Sequence, residues 1–504
     1  MNNLRRTLLI ALLAALPAIA PAAVKLPAFF SDHMVLQRDK PVALWGWADV
    51  GEKVTVRIAG QRLTAVADRA GKWSVTLQPL KPGRSLELTV EASNTITVKD
   101  VLVGEVWLAS GQSNMAFRLA GAARAKEEIA AARREGIRVF TVQEQFAQAT
   151  QKDVMGRWQI CTPEVAEVFS AVAYFFGCNL HTNLNVPVGL IVSSVGGTPI
   201  ESWTAHDVLA ADPESRAKID AWKNVTPEMF QQIATTYREF QQQRSKRAAA
   251  VARGESPPEL KPPTKRCHDC PSALFDGMIA PLIPYTLRGV IWYQGESNTS
   301  QPARYEKLFP ALIWQWRRDW REQDLPFYFV QLANYAAKDK SGDSYAVLRE
   351  AQRKTLSLPN TGMAVAIDIG EANDIHPRNK QEVGRRLALW ALAKTYGRQG
   401  LVYSGPLCDS LLVHGDTATV RFHPTSDALL AQGGSLNGFE VAGRDGKFVR
   451  AEASVSGHTV KVRSEHVSQP VSVRYAWANN PEGCNLYNSA GLPASPFSTS
   501  LEIK

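Results

Sequence analysis

The strongest constraint on the fold of this chain is a pattern that repeats through its middle, where apolar runs of strand length alternate with helical patterns. Between residues 101 and 403 the apolar runs are VLVGEVWLA, IRVFTV, VPVGLIVSSV, RGVIWYQ, PFYFVQLA and GMAVAIDI. Such runs, when helices separate them, are typical of a mostly parallel β-sheet with helices on its faces. We therefore predict that residues 101–403 form an α/β domain.

Helical patterns fill the spaces between the runs. They are predicted at residues 120–134 and 171–184, in YEKLFPALIWQWRRDW, and in KQEVGRRLALWALAKTYG. In the last of these segments Val383, Leu387 and Trp390 recur at helical spacing, so they form one apolar face.

The segments on either side of this domain have a different character. Residues 23–100 and 404–504 contain short alternating runs separated by Gly, Pro and Asn, a pattern that predicts strands joined by turns. Residues 204–265 interrupt the α/β pattern with a polar, Gln- and Arg-rich stretch that ends in SPPELKPPTK. We therefore predict small all-β, sandwich-like domains at both ends and a helical insertion within the α/β domain.

The first 22 residues are predicted to be a signal peptide. Arg5 and Arg6 precede the apolar run TLLIALLAALPAIA, and Ala20-Pro-Ala22 supplies small residues for cleavage. The run is too short for a membrane-spanning helix, and no later run has the length of one. We expect a secreted, periplasmic protein that has no membrane segment after cleavage.

The chain contains six cysteines, an even number. In an oxidising compartment an even number predicts disulfides, although the sequence alone does not fix the pairing. Proximity and shared domains favour three pairs: Cys267–Cys270, Cys161–Cys178 and Cys408–Cys484.

Charge and histidine spacing exclude several classes of function. The 57 lysines and arginines are scattered, apart from a denser region between Arg238 and Lys265, and they form no basic stripe interleaved with aromatic residues. The nine histidines show neither H-x-H nor H-E-x-x-H spacing, and the CHDC at 267–270 has no second CxxC that would complete a zinc site. We therefore predict no nucleic-acid partner, no metal and no other cofactor.

Four of the predicted strands lead directly into polar loops that contain glycine or histidine. VLVGEVWLA leads into SGQSNM, VGLIVSSV into GGTPIESW, RGVIWY into QGESN, and MAVAIDI into GEANDIHP. Ligands of α/β sheets bind at the carboxyl ends of the strands, and parallel strands bring those ends to one edge. We therefore predict that the four loops meet in one active site.

The loops carry the side chains that a serine hydrolase needs. Ser113 is a candidate nucleophile, His376 a candidate base, and Asp374 a candidate for orienting the His376 ring. Taken singly, each is more often an ordinary turn or loop residue; their occurrence together at strand ends favours catalysis. Ser113 lies in GQSNM rather than in G-x-S-x-G, which argues against the nucleophile elbow of α/β-hydrolases.

Other loop residues are candidates for holding the substrate or its oxyanion. Gly196 and Gly197 lack a Cβ, so their backbone N–H groups can approach a ligand closely. Gln294 and Asn298 carry amide donors, and Glu296 lies between them in the same loop.

These blocks resemble those of the sialate O-acetylesterase family, which belongs to the wider SGNH (GDSL-like) carbohydrate esterases. The resemblance includes SGQSNM, GGTPIESW, WYQGESN and DIHPRNKQEVGRRLALWAL, and it extends to MVLQRDKPVALWGWA near the start and YNSAGLPASPF near the end. It implies a three-layer α/β/α domain. It also implies removal of acetyl groups from sugar hydroxyls through a serine acyl-enzyme, without a metal.

The resemblance also assigns roles to individual residues. Ser113 matches the family nucleophile and His376 the base, and the amide of Gly196 or Gly197 would join that of Ser113 in the oxyanion hole. Many SGNH enzymes have G-x-N-D in the third block, where this chain has WYQGESN. Gln294 is our prediction for the side-chain donor, with Asn298 as the alternative.

The acid that supports the base also departs from the family pattern. Many SGNH enzymes have an aspartate three residues before the histidine, but this chain has Asn373 there and Asp374 one residue later. We predict that Asp374 orients His376, and Glu296 is the second candidate for orienting the ring or for binding sugar hydroxyls.

Two alternative functions are compatible with the sequence. The ester could belong to a hemicellulose, such as acetylated xylan or xyloglucan oligosaccharides, rather than to sialic acid. A carbohydrate-binding protein that has lost catalysis is the non-enzymatic alternative, and the presence of both Ser113 and His376 argues against it.

Overall fold

The structure is a computed structural model that describes residues 23–83, 85–256, 259–423 and 428–500. The predicted signal peptide, residues 1–22, lies outside the described residues, so it stays a prediction. None of the helices in these ranges combines the length and the apolar character needed to cross a bilayer.

The first part of the chain forms strands, as predicted. These are β1 (Val35–Gln37), β2 (Val42–Trp47), β3 (Lys53–Ile58), β4 (Gln61–Val66), β5 (Lys72–Leu77), β6 (Leu86–Glu91) and β7 (Thr95–Gly111).

The middle of the chain alternates strands and helices. The strands are β8 (Arg134–Thr141), β9 (Trp158–Cys161), β10 (Val188–Ser194), β11 (Gly289–Tyr293), β12 (Phe327–Val330) and β13 (Thr361–Ala364). The helices are α1 (Ser113–Ala116), α2 (Ala125–Ala130), α3 (Pro163–Val168), α4 (Ala171–Leu184), α5 (His206–Ala211), α6 (Pro213–Trp222), α7 (Pro227–Ala252), α8 (Pro302–Trp320), α9 (Ser344–Lys354) and α10 (Lys380–Trp390).

The last part of the chain again forms strands, in several small antiparallel sheets. They are β14 (Leu407–His414), β15 (Thr417–His423), β16 (Leu429–Ala431), β17 (Phe439–Ala442), β18 (Phe448–Arg450), β19 (Glu452–Ser456), β20 (Thr459–Arg463), β21 (Ser472–Tyr475), β22 (Leu486–Asn488) and β23 (Phe497–Ser498).

The central sheet has the strand order β13-β12-β11-β7-β10-β8-β9. Every neighbouring pair in it is parallel except β8 with β9, which is antiparallel. The predicted mostly parallel sheet is therefore confirmed, with one antiparallel strand at its edge.

Side chains of β12 show how helices cover both faces of this sheet. Phe327 and Phe329 contact Phe309 of α8, with ring centroids 6.0 and 5.0 Å apart. Tyr328 points to the opposite face, where its ring lies 6.4 Å from that of Trp390 in α10. Because successive side chains of a strand alternate between the two faces, α8 and α10 cover opposite sides and give the predicted α/β/α layers.

Strand β7 joins the first β region to the central sheet without a break. Its first half pairs with β6, and from Glu105 onward it pairs with β10, while β11 joins its other edge from Trp107. One hydrophobic core accordingly runs from Val24 to Leu407. The predicted boundary after residue 100 falls inside this strand.

Two further hydrophobic clusters lie outside the main core. The final strands have their own core, which includes Val441, Val460 and Phe497. In the insertion, Phe230 and Tyr237 of α7 pack on the cysteine-containing turn that follows it, while most of α7 is exposed. The predicted helical insertion thus consists of α5, α6 and α7.

One helical segment is shorter than its pattern suggests. Residues 120–134 are predicted as a helix, but the α-helix covers only α2, and Arg134 already begins β8. Pairing of Arg134 with Cys161 in β9 places the end of the segment in the sheet, because tertiary pairing outweighs local helix propensity.

The predicted disulfides are wrong, because all six cysteines, which all lie in the described ranges, have free thiols. Cys161 belongs to β9 and its Sγ–H donates to the carbonyl of Ala132, whereas Cys178 lies in α4. Cys267 and Cys270 adjoin a single 3₁₀ turn, yet both are separately buried. Closeness in sequence does not give two cysteines the Cβ geometry that a disulfide needs.

Candidate active site

The carboxyl ends of three adjacent strands meet at one level of the central sheet. Gly111, the last residue of β7, is aligned with Ser194 at the end of β10 on one side and with Tyr293 at the end of β11 on the other. The loops that begin there contain Ser113 and Gly196, and the sheet edge therefore brings the first three predicted blocks together.

Gly111 allows the loop that contains Ser113 to turn directly at the end of β7. Its φ is +134°, and a Cβ at this position would lie 2.1 Å from the carbonyl oxygen of Tyr293. The next residue, Gln112, donates its N–H to that same carbonyl over 2.9 Å. Only glycine fits so close to β11, so the glycine of SGQSNM is needed for the turn.

Ser113 and His376 are in hydrogen-bond contact. The Nε2 atom of His376 lies 2.8 Å from the Oγ atom of Ser113. Burial, reinforced by the charges of Lys380 and Arg244, lowers the pKa of His376, while Asp374 opposes this effect. A lowered pKa keeps the imidazole neutral at neutral pH, which is the form that can accept a proton from Ser113.

Asp374 contacts His376 mainly through the backbone. Its Oδ1 atom accepts the His376 N–H over 2.8 Å but lies 3.7 Å from the ring Nδ1 atom. The Asp374 side chain is 55% exposed. The carboxylate thus shapes the loop and adds a negative charge near the ring, beyond hydrogen-bond distance of it.

Gly196 lies directly against Ser113. A Cβ on Gly196 would be 3.3 Å from the Cβ of Ser113, whereas one on Gly197 would approach only His268, at 3.9 Å. Within the described residues, the backbone N–H groups of Ser113 and Gly196 donate to no other protein group. Two unused N–H donors therefore lie beside the Ser113 side chain.

Ser113 opens into a cavity of about 520 Å³ with two different walls. One wall consists of the strand-end loops, which contribute Gln112, Gly196, Glu296 and His376 among others. The other wall comes from the insertion and the turn after it, which contribute Tyr237, Phe240, Gln241, Arg244, Arg266 and His268.

Comparison with known proteins places this chain in a family. A model of the family described as "SASA: Carbohydrate esterase, sialic acid-specific acetylesterase" matches residues 103–255 and 273–393. The chain belongs to this family.

Individual relatives agree with the family match. The esterase is 32% identical over 522 residues to the sialate O-acetylesterase of Homo sapiens, with 93% of this chain and 91% of the relative covered. It is 30% identical to that of Rattus norvegicus, with 94% of each chain covered. Its structure is similar to a crystal structure of a carbohydrate acetylesterase from Xanthomonas citri, with a TM-score of 0.82, 37% identity, and coverage of 95% of this chain and 100% of that one. The predictions of a carbohydrate O-acetylesterase and of its α/β architecture are therefore confirmed.

Gln294 and Asn298 of the esterase lie behind the cavity rather than in its lining. The Gln294 amide donates to the Thr198 carbonyl and to Asn298 Oδ1, over 3.1 and 2.7 Å. The Asn298 amide donates to Glu201 over 3.0 Å, and its Oδ1 also accepts the N–H of Ile200 over 2.9 Å. Both side chains therefore bind the second and third loops to each other.

Glu296 of the esterase lies in the cavity wall next to a buried polar cluster. Its Oε1 atom accepts a 2.5 Å hydrogen bond from the Asn114 amide, while its Oε2 atom is buried without a protein partner among the described residues. Burial raises the pKa of this carboxyl, and hydrogen bonding together with the charge of Lys380 opposes the rise.

Sequence reasoning missed Asn114 and Lys380, both of which are fully buried beside Ser113 and His376. Lys380 donates to Asn114 Oδ1 over 2.5 Å, and the Asn114 amide also donates to the carbonyl of Ile375 over 3.0 Å. Asn114 adjoins the nucleophile and Lys380 begins α10, four residues after His376, and this closeness in sequence was the available signal.

Arg244 and His268 were also missed, because the sequence analysis interpreted the segment around each of them in another way. Arg244 is in the polar insertion, and no carboxylate of the described ranges lies within ion-pair distance of it. His268 is in the CHDC turn, where burial lowers its pKa to about 4 and keeps its ring neutral. Across the described parts of the chain, no group of three or more His, Cys, Asp or Glu could hold a metal ion.

Proposed function

We propose that the esterase releases acetate from acetylated sugars through a serine acyl-enzyme, with Ser113 as nucleophile and His376 as general base. The observation that carries this proposal is the 2.8 Å contact between Ser113 Oγ and His376 Nε2 at the floor of a cavity. A base within this distance of a hydroxyl is the arrangement that nucleophilic catalysis by serine requires.

The reaction proceeds in two halves. His376 takes the hydroxyl proton as Ser113 Oγ bonds to the acetyl carbon, and the imidazolium then gives that proton to the departing sugar oxygen. In the second half His376 takes a proton from water, the resulting hydroxide attacks the acetyl-serine, and the returning proton restores Ser113 as acetate leaves. No redox partner is needed, because a C–O bond forms and a C–O bond breaks at the acetyl carbon in each half and no atom changes its oxidation state.

Backbone amides are our proposal for the oxyanion hole. The unused N–H groups of Ser113 and Gly196 flank the nucleophile and are available when negative charge develops on the acetyl oxygen. Such donors are each worth roughly 10²–10³ in rate. The amides of Gln294 and Asn298 are already bonded to protein groups, which favours a supporting role for them over direct contact.

Two carboxylates remain candidates for supporting His376. Asp374 is near the ring but exposed, with a 3.7 Å separation between Oδ1 and Nδ1. Glu296 is half-buried, with its Oε2 atom enclosed, and is connected through Asn114 to the loop that carries His376. We propose that the negative charge of Asp374 stabilises the protonated His376 ring, and that Glu296 holds the His376 loop in place through Asn114.

An anionic acetylated sugar, of the sialic acid type, is the substrate class that the cavity favours. Arg244 faces the cavity without an internal acid to neutralise it, so a substrate carboxylate can pair with it. The relatives are named for sialate, which agrees with this choice. Neutral acetylated xylan or xyloglucan oligosaccharides are the alternative, because the rest of the cavity offers aromatic and amide groups that bind sugar hydroxyls as well.

The test of the proposed mechanism is the Ser113→Ala variant, assayed with p-nitrophenyl acetate and with acetylated sialic acid. We expect wild-type enzyme to release acetate and to yield an acetylated Ser113 peptide on rapid acid quenching, and we expect the variant to lose at least about 10³-fold in kcat. Full activity in the alanine variant, or no acetate release by wild type from any acetylated sugar, would refute the mechanism. The second outcome would favour the carbohydrate-binding alternative.

We also propose that the esterase is exported, on the basis of its N-terminal sequence. Arg5 and Arg6 followed by the apolar run form the pattern of a secretory signal. N-terminal sequencing of protein recovered from a periplasmic fraction should begin close to Ala23. Recovery of the uncleaved chain from the cytoplasm would contradict this.

A further inference from the structure

A buried polar cluster lies directly behind the catalytic pair and connects its two loops. Asn114 follows the nucleophile in the chain, and its amide donates to the carbonyl of Ile375, the residue before His376. The same amide donates to Glu296 Oε1, and its oxygen accepts from Lys380 Nζ, each over 2.5 Å. One asparagine side chain therefore connects the first loop, to which it belongs, with the third loop, the fourth loop and the start of α10.

The directions of these hydrogen bonds match the charges of the two groups on either side of Asn114. The amide oxygen of Asn114 faces the ammonium of Lys380, and its NH₂ group faces the carboxylate of Glu296. A cation and an anion thus lie on opposite sides of one neutral amide that is polarised in the matching sense. The ammonium also lies 4.9 Å from the ring centre of Phe117 and 5.3 Å from that of Tyr293, which holds it in an aromatic surrounding.

Full burial of Lys380 is otherwise hard to explain. Its side chain has no exposed surface, and burying an ammonium costs several kcal/mol unless the surrounding groups compensate. A leucine or methionine would fill the same space at the start of α10 without that cost. A charge kept in such a place next to the base points to a functional role.

We propose that Lys380, Asn114 and Glu296 form a positioning network that holds the His376 loop against Ser113, and that the buried ammonium of Lys380, fixed behind the catalytic pair by Asn114, acts on His376 through its charge. This inference rests on the proposed function, because it assigns to the network control of the base in that mechanism.

The surrounding charges agree in sign with this role. Lys380 and Arg244 both lower the pKa of His376, and Asp374 raises it. Burial lowers the pKa of Lys380 itself to about 7, while Glu296, the exposed Asp374 and the half-buried Glu371 oppose that change. Lys380 is therefore charged in the acidic range where His376 titrates, and its removal should raise the pKa of His376.

The test is the pH dependence of kcat/KM for p-nitrophenyl acetate in Lys380→Met and Lys380→Gln. The acid limb of the profile, where protonation of His376 lowers kcat/KM, should move to higher pH in both variants. The factor by which each variant falls below wild type should therefore be at least roughly threefold greater at about pH 5.5 than at about pH 8. Lys380→Gln keeps a hydrogen-bond donor for Asn114, so it carries the test if the methionine variant does not fold.

Arg378→Gln is the matched control, because Arg378 is a cation two residues from His376 that is 65% exposed and paired with Glu371. Its acid limb should coincide with that of wild type. If both Lys380 variants lose activity equally at all pH values, Lys380 is merely structural and the proposal fails; an equal shift in Arg378→Gln also overturns it.

A measurement on wild-type enzyme completes the test without any variant. Buried charges are screened much less by salt than exposed ones, so the acid limb should stay nearly fixed between about 0.05 and about 1 M NaCl. A large salt-dependent movement would assign control to the exposed Arg244 and Asp374 instead. The activity of wild type and the inactivity of Ser113→Ala test the proposed function independently of the position of the acid limb.

Discussion

The two walls of the catalytic cavity are built in opposite ways. The wall made by the strand-end loops is buried and cross-linked, with Asn114 bonded to the third loop, the fourth loop and Lys380, and with Gly111 packed against β11. The wall made by α7 is mostly exposed, and it has Arg244 free of any acid within the described ranges. The difference suggests that the first wall sets the chemistry and the second selects the sugar, so changes in each should have different kinetic signatures.

The largest expected effect comes from the first wall. His376→Ala removes the base that contacts Ser113, so kcat should fall by about 10³-fold or more for every acetyl ester, with KM little changed. Steady-state kinetics with p-nitrophenyl acetate and acetylated sialic acid measure this. A loss that appears with one substrate and not with the other would mean that the first wall also selects the sugar.

A smaller effect separates the two carboxylates of the first wall. Glu296→Gln disturbs the buried cluster and should lower kcat by about tenfold, whereas Asp374→Asn should lower it only about two- to fourfold. Asparagine keeps an oxygen for the His376 N–H, so the main change is the lost charge. Since Asp374 raises the pKa of His376, the acid limb of Asp374→Asn should move to lower pH. A larger loss in Asp374→Asn than in Glu296→Gln would make Asp374 the principal support of the base.

The smallest effect should come from the second wall, and it should depend on the substrate. Arg244→Gln should reduce kcat/KM roughly three- to tenfold for acetylated sialic acid and leave acetylated xylan oligosaccharides unaffected, because an exposed ion pair contributes modestly. Lys246→Gln, from the same helix but outside the cavity lining, is the control. Equal effects of Arg244→Gln on anionic and neutral sugars would favour a hemicellulose substrate.

The sequence predicted the first wall much better than the second. Ser113 and His376 could be placed together because they follow strands of one sheet, and parallel strands bring their carboxyl ends to the same edge. The role of the Gln294 amide could not be predicted, because its hydrogen bond to the Thr198 carbonyl depends on the relative position of two loops.

Lys380 and the cysteines show why other features could not be predicted. Lys380 begins an amphipathic helix, where a lysine is normally exposed, and only the packing of α10 against the nucleophile loop buries it. The cysteine number predicted disulfides from compartment and count alone, but whether two thiols meet depends on the direction of each Cβ. Arg244 belongs to an insertion whose polar composition does not indicate which face meets the cavity.

The continuity of β7 affects how this enzyme tolerates truncation and how it unfolds on heating. A deletion that ends at residue 100 would not detach a module; it would divide a 17-residue strand that ends two residues before Ser113. The first β region and the central sheet share one hydrophobic core, so we expect them to melt as one cooperative unit. In this esterase the proposed nucleophile is thus anchored by a segment that sequence patterns alone would place in a different domain.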